Sequence, residues 1–173
     1  MGGAAGPNIV TKGLVLALDA ADKRSYPGSG TKIFDLEGNN DGTFNDGPTF
    51  NSNFDGSLVF DGVNDYIDLG DLSLISSDFC ISIWVEMTEN REHYFFSTGR
   101  VLNEIINITV ERTGSTAKWY KNGVFQSSLS YSGAISTNTN YMVGWAIPRN
   151  KASAYFKVNF YSLLVYDRGF TSD

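Results

Sequence analysis

The residues in this chain that could do chemistry are few, and most stand at the wrong spacing. The densest acidic segment is Trp84-Val-Glu86-Met-Thr-Glu89-Asn-Arg-Glu92. Its acids come three residues apart, and side chains on a strand alternate faces with a period of two. Glu86, Glu89 and Glu92 therefore do not line one face, whereas a retaining glycosidase needs two carboxyl groups about 5–5.5 Å apart. Asp35 and Glu37 have the right spacing but sit in a turn-rich stretch, where solvated loop acids are expected. His93 is the single histidine, and its neighbours Glu92 and Tyr94 supply no nucleophile, so a histidine-based triad is not expected. No P-loop, dinucleotide fingerprint or two-histidine metal motif occurs. The chain reads as one that binds or builds rather than catalyses.

Two constellations suit binding. Asp61, Asn64 and Asp65 fall within one tight turn, and hard oxygen ligands on a short loop suit Ca²⁺. The competing role for the same residues is simply to make the turn. For sugars, the useful groups are aromatic rings on a wet face, where a ring stacks on the apolar side of a pyranose. Trp84, Trp119, Tyr131 and Trp145 are the candidates, although packing or a subunit interface is the commoner role for each such ring. Cys80, the one cysteine, lies in an apolar strand-like run and reads as a small buried thiol; alone it can form no internal disulfide.

The elements that must position these groups are strands. At 173 residues the chain fits one domain, and area scaling has it bury ~70% of its unfolded surface. Aromatic content is 14%, glycine numbers 18, and no helical period persists. In Phe79–Val85, Phe79, Ile81, Ile83 and Val85 share one face, which puts Trp84 opposite, beside Ser82 and Glu86. In 105–111, Ile106, Ile108 and Val110 point inward and Asn107, Thr109 and Glu111 outward. Ala154, Phe156 and Val158, then Tyr161, Leu163 and Val165, continue the alternation. Asp-Gly or Asn-Gly pairs at 41, 46, 55, 61 and 122 mark turns, the last of them the centre of a hairpin. One wet and one dry face per strand predicts two packed antiparallel sheets. Residues 1–12 are small and unpatterned and read as a flexible or docking arm, with 13–173 as the sandwich domain.

Charge narrows the partners. There are 13 basic and 19 acidic residues, a net charge of −6, and that sign repels phosphate backbones, so nucleic-acid binding is not expected. Leu14–Leu18 is far too short to span a bilayer, so membrane insertion is not expected either. Met1-Gly-Gly-Ala-Ala-Gly-Pro has no secretory pattern.

Several segments carry a family resemblance. They are Gly13-Leu-Val-Leu-Ala-Leu-Asp-Ala-Ala21, Ser25-Tyr-Pro-Gly-Ser-Gly-Thr31, Phe34-Asp-Leu-Glu-Gly-Asn-Asn-Asp-Gly-Thr43, Gly47-Pro-Thr-Phe50, Ser57-Leu-Val-Phe-Asp-Gly-Val-Asn-Asp-Tyr-Ile67 and the closing Asn159–Arg168. In order and spacing they resemble the concanavalin A-like or laminin-G-like domains found in tailed-phage virion proteins and bacterial surface proteins. Gly6-Pro-Asn-Ile-Val-Thr11 is similar to phage structural proteins in particular. Where that family often has Trp before its Asp-Leu turn, this chain has Ile33-Phe34.

The resemblance implies an all-β, two-sheet antiparallel jelly-roll sandwich of the concanavalin A-like lectin/glucanase type, with the last strand returning beside the first. It implies a non-enzymatic virion component: a capsid decoration, neck or tail-fibre protein at the virion surface, made in a host cytoplasm. Such a protein would contact other virion subunits through residues 1–12, with glycans and further copies of itself as additional partners. The alternatives are a free carbohydrate-binding module or calcium-dependent lectin and, more weakly, a polysaccharide hydrolase. No cofactor is required, Ca²⁺ being the one candidate. Within these motifs Phe60, Val63 and Ile67 are expected to feed the core, and Tyr26 to pack on the sandwich edge.

Overall fold

The computed structural model describes residues 9–70, 78–88, 104–130, 142–143, 145–146 and 154–169. Fourteen strands run through them: β1 (Leu14–Asp19), β2 (Lys32–Ile33), β3 (Gly42–Asn45), β4 (Thr49–Asn51), β5 (Ser57–Val59), β6 (Tyr66–Asp68), β7 (Phe79–Met87), β8 (Ile105–Thr113), β9 (Thr116–Lys121), β10 (Val124–Ser130), β11 (Met142–Val143), β12 (Trp145–Ala146), β13 (Ala154–Tyr155) and β14 (Val158–Tyr166). Among the described residues the helical element is a single 3₁₀ turn, Asn53–Asp55.

Eight strands form the larger sheet, in the order β10-β9-β8-β7-β14. Beyond β14 the edge is shared: β5 pairs with Asn159 and Phe160, β1 with Ser162 to Tyr166, and β4 lies outside β5. The smaller sheet runs β11-β6-β3-β2, and β12 and β13 make a two-stranded ribbon. Every pairing is antiparallel. This is the expected sandwich, and the last strand lies beside the first.

The core is the set of residues facing across the two sheets. Leu16, Leu18, Ile83, Val85, Ile106, Ile108, Phe160, Leu163 and Val165 come from the larger sheet, and Ile33, Phe44, Ile67 and Val143 from the smaller. Phe60 meets Phe160 edge-on with ring centroids 6.3 Å apart, a geometry aromatic pairs favour. Gly42 belongs to this packing rather than to the expected turn at 41–42. It stands in β3, where a Cβ would run into the branched carbons of Ile67 and Ile33.

Alternation fails at two expected places. The first lies in β14, whose partner register on β7 slips between Phe160 and Ser162. Such a bulge sets two residues against one, so the inward set changes from Val158 and Phe160 to Leu163 and Val165. Tyr161, expected to follow the core face, turns instead to the other side and donates to Glu86. The second is Val63, expected in the core and 67% exposed at the tip of the turn between β5 and β6.

Two buried polar side chains tie β1 to the segments after it. The Ser25 hydroxyl donates to the Phe34 carbonyl (2.7 Å) and accepts from the Asp19 amide (3.0 Å). Asp35, read from sequence as a solvated loop acid, is 6% exposed. Its Oδ1 accepts from the amides of Ala17 (2.9 Å) and Glu37 (3.0 Å). Its Oδ2 accepts from those of Asn39 (3.3 Å) and Asn40 (3.2 Å). A carboxylate so placed is structural, because its lone pairs close the backbone of a loop that would otherwise bury unpaired amides. Tyr26 is buried as expected, with its ring 5.4 Å from that of Phe44 and 5.5 Å from that of Phe50.

Candidate functional site: the outer face of the larger sheet

Because Ile83 and Val85 of β7 face the core, Cys80, Ser82, Trp84 and Glu86 project from the opposite face of the same sheet. The cross-strand register fills in the rest of that surface. Trp84 stands between Asn107 on β8 and Ser162 on β14. Ser82 stands beside Thr109, which in turn faces Tyr120 on β9, and Tyr120 faces Phe125 on β10. Trp84 is 44% exposed and Phe125 53%. Both rings are left in solvent within a polar frame.

The polar frame is pre-organised. Asn107, 9% exposed, donates from Nδ2 to the Ser82 hydroxyl (2.8 Å), and Thr109 donates to Asn107 Oδ1 (2.8 Å). The Asn107 amide itself is held by Asn122 Oδ1 at 2.8 Å. On the other flank of Trp84, Glu86 Oε2 accepts from Asn159 Nδ2 (2.8 Å) and the Tyr161 hydroxyl (3.2 Å). Burial, then the neighbouring Glu86 charge, pushes the Tyr161 phenol up to about 12, so it stays a donor at neutral pH. Both donors land on Oε2 rather than Oε1.

At the far end of the face Glu111 is buried. Its Oε1 takes the Tyr120 hydroxyl (2.9 Å) and the Lys118 ammonium (3.3 Å). Burial first, then its hydrogen bond to Glu111 and the Glu111 charge, raises the Tyr120 phenol. Cys80 beside it is a buried free thiol, pushed up to about 12 by burial and then by Glu111, which keeps it protonated and unreactive. Glu86 and Glu111 cannot act as a hydrolytic pair: Glu86 faces Ile105 across the strands, and Glu111 lies six residues farther along β8, about 20 Å at strand rise.

The sequence-derived aromatic set does not assemble into one surface. Trp84 is on the outer face, as expected. Trp119 pairs with Val110 and Ser127 on the opposite face, where its indole donates to the Ser127 hydroxyl at 2.6 Å. Trp145 lies opposite Tyr155 in the β12–β13 ribbon, and its side chain is outside what the structure describes. Tyr131 lies outside the described residues, as do Glu89, Glu92 and His93. Among the described residues Tyr161, Tyr166, Tyr120 and Phe125 share the face of Trp84; Tyr166 is buried, and the rings of Tyr120 and Phe125 meet edge-on at 5.9 Å.

The 61–65 turn is built from its own carboxylates. Asp61 Oδ1 accepts from the amides of Val63 (2.7 Å) and Asn64 (3.4 Å), and Asp65 Oδ2 from the amide of Asp61 (2.9 Å). Asp65 is buried, and that burial, then the charges of Asp61 and Asp46, raises its pKa against the lowering effect of the Asp61 amide. Among the described residues no three His, Cys, Asp or Glu side chains gather as a metal site.

No protein-family model matches the sequence, and no curated protein matches it. Solved structures do match the fold. Domain 4 of AbnA, an extracellular arabinanase of family GH43 from Geobacillus stearothermophilus solved with arabinotriose, superposes with a TM-score of 0.69 at 16% identity over 91% of this chain and 94% of that one. Trypanosoma rangeli sialidase in complex with sialic acid gives 0.67 at 12% identity over 96% of this chain. This chain spans only 32% of the sialidase. The binding domain of botulinum neurotoxin serotype D gives 0.62 at 13% identity, over 92% of this chain and 49% of that one. At such identities the likeness is one of fold, a two-sheet antiparallel β-sandwich.

Proposed function

We propose that this chain is a non-catalytic glycan-binding sandwich, displayed on a virion surface, whose binding surface is the outer face of the larger sheet. The observation that carries the reading is Trp84. It is a half-exposed indole set among amide, hydroxyl and carboxylate side chains that are themselves locked by hydrogen bonds. Rings supply apolar stacking area, and fixed polar neighbours supply orientation at little entropic cost. A structural neighbour of nearly the same extent, the arabinanase domain, was solved with arabinotriose, which supports a glycan as the ligand class.

The virion placement rests on the motif resemblance and on residues 1–12, in which the described Ile9 and Val10 are both half-exposed. A partner subunit would cover them. The separation of Glu86 and Glu111 favours binding over hydrolysis.

Calorimetric titration with arabinan and laminarin oligosaccharides tests the reading. Trp84→Ala should weaken binding by about thirtyfold or more, the loss of a hot-spot residue worth ~2 kcal/mol, with the melting temperature nearly unchanged. Undiminished binding by that variant would sink the proposal, and reducing ends released from either glycan would replace it with an enzyme. For the virion role, deletion of residues 1–10 should leave melting unaltered and abolish incorporation into particles; full incorporation of the truncated chain would refute the docking role.

A further inference from the structure

We infer that the ligand is an extended, neutral glycan that runs obliquely across the strands from Trp84 to the Tyr120–Phe125 pair, rather than a single sugar seated on Trp84. The inference rests on the glycan-binding reading above and adds the length, direction and charge of the ligand.

Length and direction follow from register. Trp84 is on β7, Tyr120 on β9 and Phe125 on β10, all on one face, and the row of Tyr120 and Phe125 lies one two-residue step along the strands from that of Trp84. Strand spacing and rise then place the Cα atoms of Tyr120 and Phe125 about 12 and 16 Å from that of Trp84. A single sugar ring covers one end of this track; only an oligosaccharide reaches both. The surface between the ends is polar and ordered: Asn107, Ser82 and Thr109 bond one another there and present amide and hydroxyl groups at fixed positions. A face with rings at its ends and hydrogen-bonding groups between them suits a polyol chain better than a protein partner, whose interfaces centre on apolar residues.

Phe125 is not part of the core. It is 53% exposed on the outermost strand of the sheet, next to the tight Asn122-Gly123 turn. Tyr120 holds it in place edge-on, and Tyr120 is in turn fixed by its hydrogen bond to Glu111. The ring is therefore presented rather than buried.

Charge follows from the same inventory. The acids that the register places on this face are Glu86, Glu111 and Asp19; of the described cations, Lys118 is in an ion pair with Glu111, and Arg168, whose charge reaches Tyr166, donates to the Lys12 carbonyl. Along the track a ligand carrying carboxylates or sulfates would meet a surface of its own sign, with Lys118 engaged by Glu111 and Arg168 on the other side of β7 beside Tyr166.

The experiment is a chain-length series on the full chain, using neutral arabino- and laminari-oligosaccharides from the disaccharide to the hexasaccharide and an oligogalacturonate series as the anionic arm. The wild type should gain several-fold in affinity between the shortest and the longest neutral chains. Phe125→Ala should bind the disaccharide as the wild type does but lose that gain, and Phe125→Trp should restore it. A Phe125→Ala protein that keeps the full gain, with binding still dependent on Trp84, overturns the extended track and leaves the glycan-binding reading standing. Oligogalacturonate binding as tight as that of neutral chains overturns the assignment of charge. Absence of binding by every glycan, or binding indifferent to Trp84, overturns both.

Discussion

Asp35 offers the sharpest test of whether an acid in this chain is structural or chemical. Replacing it with Ala removes four acceptor contacts at once. The amide of Ala17 is buried in β1 and would be left without its partner, a loss of about 1.5–3 kcal/mol for a hydrogen bond to a charged group. The amides of Glu37, Asn39 and Asn40 lie nearer the surface, where water can replace the carboxylate, and each should cost about 0.5–1 kcal/mol. The sum, about 3–6 kcal/mol, is a large part of the 5–15 kcal/mol typical of a folded domain. Asp35→Asn keeps one acceptor oxygen and turns an amide donor toward the other pair, so it should cost about 1–3 kcal/mol. The exposed neighbour supplies the control, since Glu37→Ala should fall within about 0.5 kcal/mol of wild type. Urea unfolding measures all three through the midpoint at constant m. An Asp35→Ala midpoint indistinguishable from wild type would refute the reasoning, because it would mean those amides are not held by the carboxylate.

Gly42→Ala should destabilise by about 1–3 kcal/mol, because its methyl overpacks Ile67 and Ile33; thermal melting checks this, and an unchanged melting temperature would contradict it. The raised pKa of Asp65 has a defined sign: its favourable contribution is complete below its unfolded value of 3.8 and is lost as pH rises through the higher folded value. Relative to wild type, Asp65→Asn should therefore gain stability between acid and neutral pH, and denaturation curves that stay parallel across that range would count against it. Calcium should leave the melting temperature where a chelator leaves it, since Asp61 and Asp65 direct carboxylate oxygens at their own turn's amides; an upward shift on adding calcium would restore the site by mass action.

Much of the architecture was legible because alternation is a strong signal. The period-two patterns over 79–85 and 105–111 gave the correct inward faces of β7 and β8, and with them the outward placement of Trp84. Asn122-Gly123 gave the β9–β10 hairpin, both residues having the positive φ that a two-residue turn of this kind requires. The bulge at Tyr161 was written as a change of phase, from even-numbered Val158 and Phe160 to odd-numbered Leu163 and Val165. Extending one phase through it put Tyr161 on the wrong face. Asp35 was illegible for another reason: its burial is set by the amide of Ala17, eighteen residues away, and composition of the local stretch says nothing of that.

The missed half of the candidate site shows what reading strands singly leaves out. Trp119 carries the larger ring, but Tyr120 is the residue on the outer face. Which of two adjacent residues faces solvent is decided by parity carried across turns, not by side-chain type. Ile106, Ile108 and Val110 fix the inner face of β8, so Thr109, Glu111 and Thr113 are outer. The two-residue Gly114-Ser115 turn pairs Thr113 with Thr116, which keeps Thr116, Lys118 and Tyr120 outer as well. The next two-residue turn pairs Lys121 with Val124 and Tyr120 with Phe125, and the same parity brings Phe125 to the face of Trp84. Each step follows from a turn length visible in the sequence. Two tight turns and an edge-on tyrosine position the Phe125 ring there, one two-residue step along the strands from Trp84, where the proposed extended glycan would meet it.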